Sequence, residues 1–157
     1  MTIKGFKDED FVNYRKPSMF IAAPSCTFKC VREYGGSCQN SSLAHEAPAD
    51  VGVRDLIERY LANPITKAIV FGGLEPFDQY GELFDFIAIL RGDYKCHDDI
   101  VIYTGYNPDE IDGEIRMLSI LGNIVVKFGR YIPGQTPHLD EVLGVMLASD
   151  NQYAQRI

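Results

Sequence analysis

The chain has 157 residues, of which 46% are hydrophobic and 24% are charged, proportions typical of a folded domain and not of a disordered protein. Its formal net charge of −7 argues against a nucleic-acid-binding protein, because binding to the phosphate backbone depends on clustered Lys and Arg. The sequence has no signal-peptide pattern and no apolar run long enough to span a membrane, so we expect a cytoplasmic protein with reduced cysteines.

Short apolar runs alternate with amphipathic segments along the chain, as expected for one α/β domain over residues 1–157. The predicted strands are residues 19–23, 67–71, 100–103 and 124–128. The predicted helices are residues 51–61 with Asp50 as the cap, residues 83–90, and a segment opened by the capping sequence Asn107-Pro108-Asp109-Glu110. This alternation favours a mainly parallel sheet, with a core over about residues 18–147 and a polar C-terminal tail.

Three cysteines follow the first predicted strand within one loop. Cys26, Cys30 and Cys38 have the spacing C-x3-C-x7-C, and Gly35-Gly36 would let the chain turn tightly between the last two. A structural zinc site normally needs four ligands, whereas an iron–sulfur cluster with three thiolate ligands keeps one iron open for a substrate. The loop alone is equally consistent with buried thiols or an incomplete zinc site. Cys96 is far away in the sequence and is interpreted as an uninvolved thiol.

Two further motifs lie where predicted strands end. Phe71-Gly72-Gly73-Leu74-Glu75-Pro76 combines glycines, which allow a ligand to approach the backbone, with a carboxylate that could orient that backbone or accept from an ammonium group. Tyr103-Thr104-Gly105-Tyr106 offers hydroxyl groups that suit a ribose. By itself the Gly-Gly turn is more typical of a tight strand–helix connection, and a strand end before a capped helix would look much the same as the second motif. Together with the cysteine loop they occupy one edge of a parallel sheet, where α/β proteins bind ligands.

These motifs resemble those of the radical S-adenosylmethionine enzymes. Within that superfamily the short chain, the Tyr103-Thr-Gly-Tyr106 strand end and the Ser149-Asp-Asn-Gln152 segment are most similar to the activating proteins of anaerobic ribonucleotide reductase. The usual spacing there is C-x3-C-x2-C and the usual turn is Gly-Gly-Glu-Pro, so this chain has five more residues before Cys38 and an additional Leu74.

The resemblance implies a partial (β/α) barrel and specific site residues. Cys26, Cys30 and Cys38 would bind a 4Fe–4S cluster, and S-adenosylmethionine would be the second cofactor. The residues expected around these cofactors are Phe28, Gly72, Gly73, Glu75, Tyr103 and Thr104. Asn151 and Gln152 would face the ligand or a docked partner, or else belong to a solvated tail.

The resemblance also implies an activity and partners. Reductive cleavage of S-adenosylmethionine to a 5′-deoxyadenosyl radical would generate a glycyl radical on the large anaerobic ribonucleotide reductase subunit, with a low-potential donor such as flavodoxin supplying the electron. Two alternatives remain open from the sequence. One is a small radical synthase of the deazapurine-pathway type that acts on a small molecule, and the other is a non-catalytic metal-binding module that docks on a larger protein.

Overall fold

A computed structural model describes residues 1–157 and shows strands and helices that alternate along the chain. The strands are β1 (Thr2–Ile3), β2 (Gly5–Asp10), β3 (Ser18–Ala22), β4 (Ala49–Asp50), β5 (Ala68–Gly72), β6 (Asp99–Tyr103), β7 (Ile124–Phe128), β8 (His138–Asp140), β9 (Val145–Leu147) and β10 (Tyr153–Arg156). The helices are α1 (Lys29–Tyr34), α2 (Ser41–His45), α3 (Val53–Ala62), α4 (Tyr80–Gly92) and α5 (Asp112–Ser119).

Six strands form the central sheet, in the order β10-β7-β6-β5-β3-β2. The four inner strands are parallel, and the two edge strands, β2 and β10, are antiparallel to their neighbours. The predicted α/β class with a mainly parallel sheet is therefore confirmed, whereas a partial barrel stays a prediction. Because β3, β5, β6 and β7 run in the same direction, their C-terminal ends lie at one edge of the sheet, and the loops that follow them meet there.

The two faces of the sheet have different coverings. Ile69 and Phe71 of β5, and the equivalent side chains of the other parallel strands, pack with helix residues such as Leu56 and Phe86 in one apolar core. The alternate side chains, including Val70, point to the opposite face, where a smaller core includes residues of the β8–β9 region. No helix residue belongs to this smaller core, and we call this side of the sheet the helix-free face. Residues on this face, such as Phe20 and Lys127, line a cavity.

Both ends of the chain differ from the sequence prediction, which placed the core at residues 18–147. β2 and β10 are edge strands of the main sheet, and Ala154 of β10 is buried, so the last residues are not a solvated tail. Their sequences are polar because an edge strand exposes much of its surface, which hides the strand pattern. The predicted cap Asp50 is also wrong, since it lies in β4 and accepts a hydrogen bond from Thr2 Oγ1.

The capping sequence before the last helix is confirmed in part. The backbone N–H of Asn107 donates to the Glu110 carboxylate at 2.9 Å, as a capping box requires, but the capped element is a short 3-10 turn over Pro108–Glu110. α5 begins two residues later. The turn leaves Glu110 free to make further contacts, which are described below.

The longest helix, α4, has 13 residues. No helix combines the length and the apolar character that would be needed to cross a membrane.

Candidate metal centre

The three cysteines of the predicted loop lie on the wall of one cavity. Cys26 lies in the segment after β3, Cys30 lies in α1, and Cys38 lies between α1 and α2. Gly35 and Gly36 both have positive φ angles, of 71° and 78°, which an L-residue with a side chain adopts only with strain. These glycines allow the chain to reverse between Cys30 and Cys38.

The segment around Cys26 is fixed by hydrogen bonds to the turn after β5. The carbonyl of Ser25 accepts from the Glu75 N–H at 2.9 Å, and the Thr27 N–H donates to the Asp78 carboxylate at 2.7 Å. The segment around Cys38 has its own attachment, because the Asn40 side-chain amide donates to the Gly73 carbonyl. The cysteine loop is thus joined to the end of β5 at two places.

All three thiols are half-buried, and none is paired in a disulfide. Burial raises the pKa of the Cys26 thiol to about 11, and burial also raises the pKa of Cys30. The metal-free protein therefore holds these two groups as neutral thiols at pH 7. Because thiolate is the ligand form, metal binding would release their protons.

The cavity beside the thiols has a volume of about 690 Å³ and extends over the helix-free face of the sheet. Four of the predicted ligand residues line it together with the thiols: Gly73, Glu75, Tyr103 and Thr104. The volume is within the range of small-molecule sites, which is roughly 300–1,000 Å³. The sequence prediction that the strand ends converge on one site is consistent with this arrangement.

Glu75 is buried at 6% exposure and joins the turns that follow β5 and β6. Its Oε1 accepts from Thr104 Oγ1 at 2.7 Å, and its Oε2 accepts from the Gly105 N–H at 2.8 Å. Burial raises the pKa of Glu75 to about 7, although these hydrogen bonds act in the opposite direction. The carboxylate therefore orients the backbone of both turns, and Oε2, which accepts from Gly105, has the capacity to accept one further hydrogen bond.

Lys127 is a cavity residue to which the sequence analysis gave no role. Its side chain lies on the helix-free face of β7 and is almost completely buried, and Nζ donates to the Gly129 carbonyl at 2.8 Å. Burial lowers the pKa of Lys127 to about 8, and the nearby Glu75 charge acts in the opposite direction. Strand periodicity could have found it, because Lys127 is the single charged residue in the apolar strand 124–128.

Two predicted ligand residues do not reach the cavity wall. Phe28 begins α1 in the left-handed conformation, with φ at 53°, and its N–H donates to the Cys26 sulfur. Gly72 packs beside Phe20 and Tyr103, so a Cβ atom there would lie 3.2 Å from the Phe20 ring. Phe28 therefore supports a thiol and Gly72 allows close packing, and neither lines the cavity.

The C-terminal motif is only partly directed toward the cavity. Gln152 lines the cavity, is buried, and its side-chain amide donates to the Gly129 carbonyl at 3.2 Å. Asn151 is exposed and its side chain donates to the Arg130 carbonyl at 2.8 Å. Both residues support the segment after β7. Cys96 is not among the cavity residues; it packs partly buried beside the main core.

The donor set fits an iron–sulfur cluster. Three soft sulfur ligands share one wall of a cavity, and thiolate is the characteristic ligand of such clusters. No three His, Cys, Asp or Glu side chains lie close enough together to hold one metal ion. A cluster does not require three ligands around one ion, because each thiolate binds a separate iron of the cluster.

Comparison with known proteins adds an independent finding. The sequence model of a family described as "4Fe-4S single cluster domain" matches residues 16–141, about four-fifths of the chain. This segment contains all three cysteines of the loop and the parallel strands. No curated protein and no solved structure matches the chain significantly.

Proposed function

Because the chain belongs to the family of 4Fe-4S single cluster domains, we propose that Cys26, Cys30 and Cys38 hold the cluster and that the adjoining cavity binds S-adenosylmethionine. The observation that carries the proposal is the shared cavity, whose wall includes these thiols and the ends of three parallel strands. With three thiolates from the loop, one iron of the cluster is left for a ligand from solution. Iron–sulfur dependence follows from the family, and the use of S-adenosylmethionine is our proposal.

The chain's own residues suit the binding of a zwitterionic ligand next to the thiols. Gly73 lines the cavity next to Cys38 and Asn40, and the remaining acceptor position of Glu75 suits an ammonium group. Lys127 is a buried positive charge in the same cavity and would attract a carboxylate. Thr104 and Tyr103 also line the cavity; their hydroxyl groups donate to Glu75 and to the Asn13 carbonyl, so each would act toward a ribose as an acceptor.

When bound and reduced, a cluster with an open iron supplies the electron that cleaves the sulfonium bond of S-adenosylmethionine to give a 5′-deoxyadenosyl radical. The protein must exclude water from such a species. The partly apolar helix-free face, with Phe20, Met146 and Leu147 in the cavity wall, is suited to that task.

We extend the proposal to an activase of the large anaerobic ribonucleotide reductase subunit, in which a glycine would lose its hydrogen atom. This step and the flavodoxin-type donor are supported by the sequence resemblance alone. The motifs that carry it are Tyr103-Thr-Gly-Tyr106 and Ser149-Asp-Asn-Gln152. The whole Tyr103-Thr-Gly-Tyr106 motif lines the cavity, and of the second motif Gln152 does.

Anaerobic reconstitution with iron and sulfide tests the cluster and its ligands. We expect about four irons per chain, as in a single cubane cluster. Separate Cys26→Ala, Cys30→Ala and Cys38→Ala variants should each lose most of the iron. Cys96→Ala is the matched control and should keep it, because Cys96 does not line the cavity. Stoichiometric zinc, or equal loss in the control, would contradict the assignment.

Two further measurements separate the activase from the alternatives. Addition of S-adenosylmethionine to the reduced cluster should change its electron paramagnetic resonance spectrum and yield 5′-deoxyadenosine; no change would indicate a metal-binding module. With the anaerobic reductase subunit present, a glycyl radical signal should appear on that partner. Cleavage that requires a small-molecule acceptor instead would favour the synthase.

A further inference from the structure

The helix that carries Cys30 lacks the apolar contacts that normally hold a helix in place. No residue of α1 is buried, and the helix has only six residues. An isolated helix of this length is unstable in water, so its position must come from contacts with the rest of the protein. The side chains that flank Cys30 provide those contacts.

Lys29 and Glu33, one helical turn apart on α1, both contact an ion pair in the protein body. Lys29 Nζ lies 3.3 Å from Glu110 Oε1, and Glu33 Oε2 lies 3.1 Å from Arg130 Nε. Arg130 and Glu110 are joined by two hydrogen bonds, of 2.7 and 2.6 Å. The four side chains, Lys29, Glu110, Arg130 and Glu33, form a series of alternating charges that we call the four-charge ring.

The two body residues of this ring are less exposed than the two helix residues. The side chains of Arg130 and Glu110 are 7% and 26% exposed, whereas those of Lys29 and Glu33 are 35% and 45% exposed. The hydrogen bonds from Arg130 hold the pKa of Glu110 at about 2, so this carboxylate stays ionised at neutral pH. Arg130 Nε is close to Glu33 but is not aligned for a hydrogen bond, so the contact is electrostatic. Lys29 also lies over the Tyr106 ring, at 4.3 Å from its centroid.

We infer that the four-charge ring positions Cys30 for cluster binding. Lys29 and Glu33 are positioning residues, because they act through the placement of α1. Cys26 and Cys38 have separate attachments, through Thr27 to Asp78 and through Asn40 to Gly73. Loosening the ring should therefore affect Cys30 selectively. The inference builds on the proposed function only in taking Cys30 as a cluster ligand.

The test uses the double variant Lys29→Gln/Glu33→Gln in the full chain. It removes one positive and one negative charge, so the net charge of α1 is unchanged, and Gln has a helix propensity similar to Lys and Glu. In cluster-free, reduced protein, the alkylation rate of each cysteine by iodoacetamide is measured by peptide mass spectrometry. We expect the Cys30 rate to rise about fivefold, as expected for the loss of two partly exposed ion pairs, while Cys26 and Cys38 change little.

Three comparisons make the result specific. Arg32→Gln lies on the same helix outside the ring and should leave Cys30 at the wild-type rate. Lys29→Arg/Glu33→Asp retains the charges and should restore protection, whereas wild-type protein at about 1 M NaCl should approach the double variant, because the Debye length there is about 3 Å. An unchanged Cys30 rate in the double variant, or an equal rise in Arg32→Gln, overturns the inference.

A reconstitution measurement then connects positioning to the cluster. The double variant should retain fewer irons than Arg32→Gln and give a broadened spectrum of the reduced cluster. Because the alkylation measurement uses cluster-free protein, a failure to assemble any cluster would contradict the proposed function without affecting the test of the ring. Selective exposure of Cys30 with unaltered iron content and spectrum would show that the ring does not serve cluster binding.

Discussion

Replacement of the buried Glu75 by Gln should change the stability of the cluster-free protein in a pH-dependent way. Glu75 has a pKa of about 7 in the folded protein, against an ordinary value of 4.5. At 1.36 kcal/mol per pKa unit, this difference corresponds to about 3 kcal/mol. Because the folded-state pKa is the higher one, protonation favours folding: the contribution is fully present below pH 4.5 and is lost as the pH rises through 7.

The Glu75→Gln variant cannot ionise and resembles the protonated carboxyl in size and in carrying a hydrogen-bond donor. The Gln amide nitrogen cannot accept the hydrogen bond that a carboxyl oxygen accepts from Thr104 or Gly105, so the variant should show a constant loss, which is measured at about pH 4. Between about pH 4 and pH 8 the stability of the variant relative to the wild type should rise by about 3 kcal/mol, since the wild type then buries a carboxylate. Comparison at each pH cancels the titration of all the other groups.

Urea unfolding monitored by circular dichroism at a series of pH values measures this difference. Unchanged m-values would show that both proteins unfold from equally compact states. A stability difference that stays constant from about pH 4 to 8 would refute the reasoning. It would mean that water reaches Glu75, or that hydrogen bonds from Thr104 and Gly105 outweigh its burial.

Three other substitutions test separate parts of the structure. Burial raises the pKa of Asp99, but hydrogen bonds from three side chains outweigh it and lower the pKa to about 2. Asp99→Asn should therefore reduce the free energy of unfolding by about 2 kcal/mol at pH 7. Urea unfolding should show that this loss disappears as the pH falls through about 2. Gly73→Ala should reduce the stability measured by thermal unfolding by about 1–2 kcal/mol, since the φ of Gly73 is 79° and the new Cβ would lie 2.7 Å from Leu43. The same substitution in a Leu43→Ala background should cost less, because the contact with Leu43 is then removed. Burial lowers the pKa of Lys127 to about 8, so protonation of this residue opposes folding. The free energy of unfolding of Lys127→Met, minus that of the wild type, should therefore be about 3 kcal/mol larger at pH 7 than at about pH 10.5. A difference that does not change with pH would contradict this expectation.

Much of the fold could be predicted because the inner strands are apolar on both faces. The segment Ile124–Phe128 is buried at every position, so its sequence indicates a strand with little ambiguity. The edge strands β2 and β10 could not be recognised in the same way, since their exposed positions are polar and no apolar pattern remains. Pattern-based prediction thus found the strands that the sheet buries and missed those at its edges.

The candidate site was predictable where the topology alone brings residues together. Thiols after β3 and the turns after β5 and β6 meet because parallel strands end at one edge of a sheet. The contact of Glu33 with Arg130 could not be predicted, because it joins residues distant in the sequence through particular side-chain conformations. Similarly, Phe28 differs from the prediction because its left-handed backbone, which sequence patterns do not reveal, determines its position at the start of α1.

The different coverings of the two sheet faces have a consequence for how this protein tolerates substitution. Neighbouring residues of β7 lie in different surroundings. Ile124, Val126 and Phe128 pack in the main core, whereas Lys127 lines the cavity. In an alanine scan of this strand, thermal stability should fall at all four apolar positions, including Val125 of the smaller core. Lys127→Ala should avoid this loss because it removes a buried charge, and its cost should appear in binding of the proposed ligand. If the cavity binds the proposed ligand, changes at Lys127 would alter its ligand preference while the apolar positions of β7 that maintain the fold are preserved.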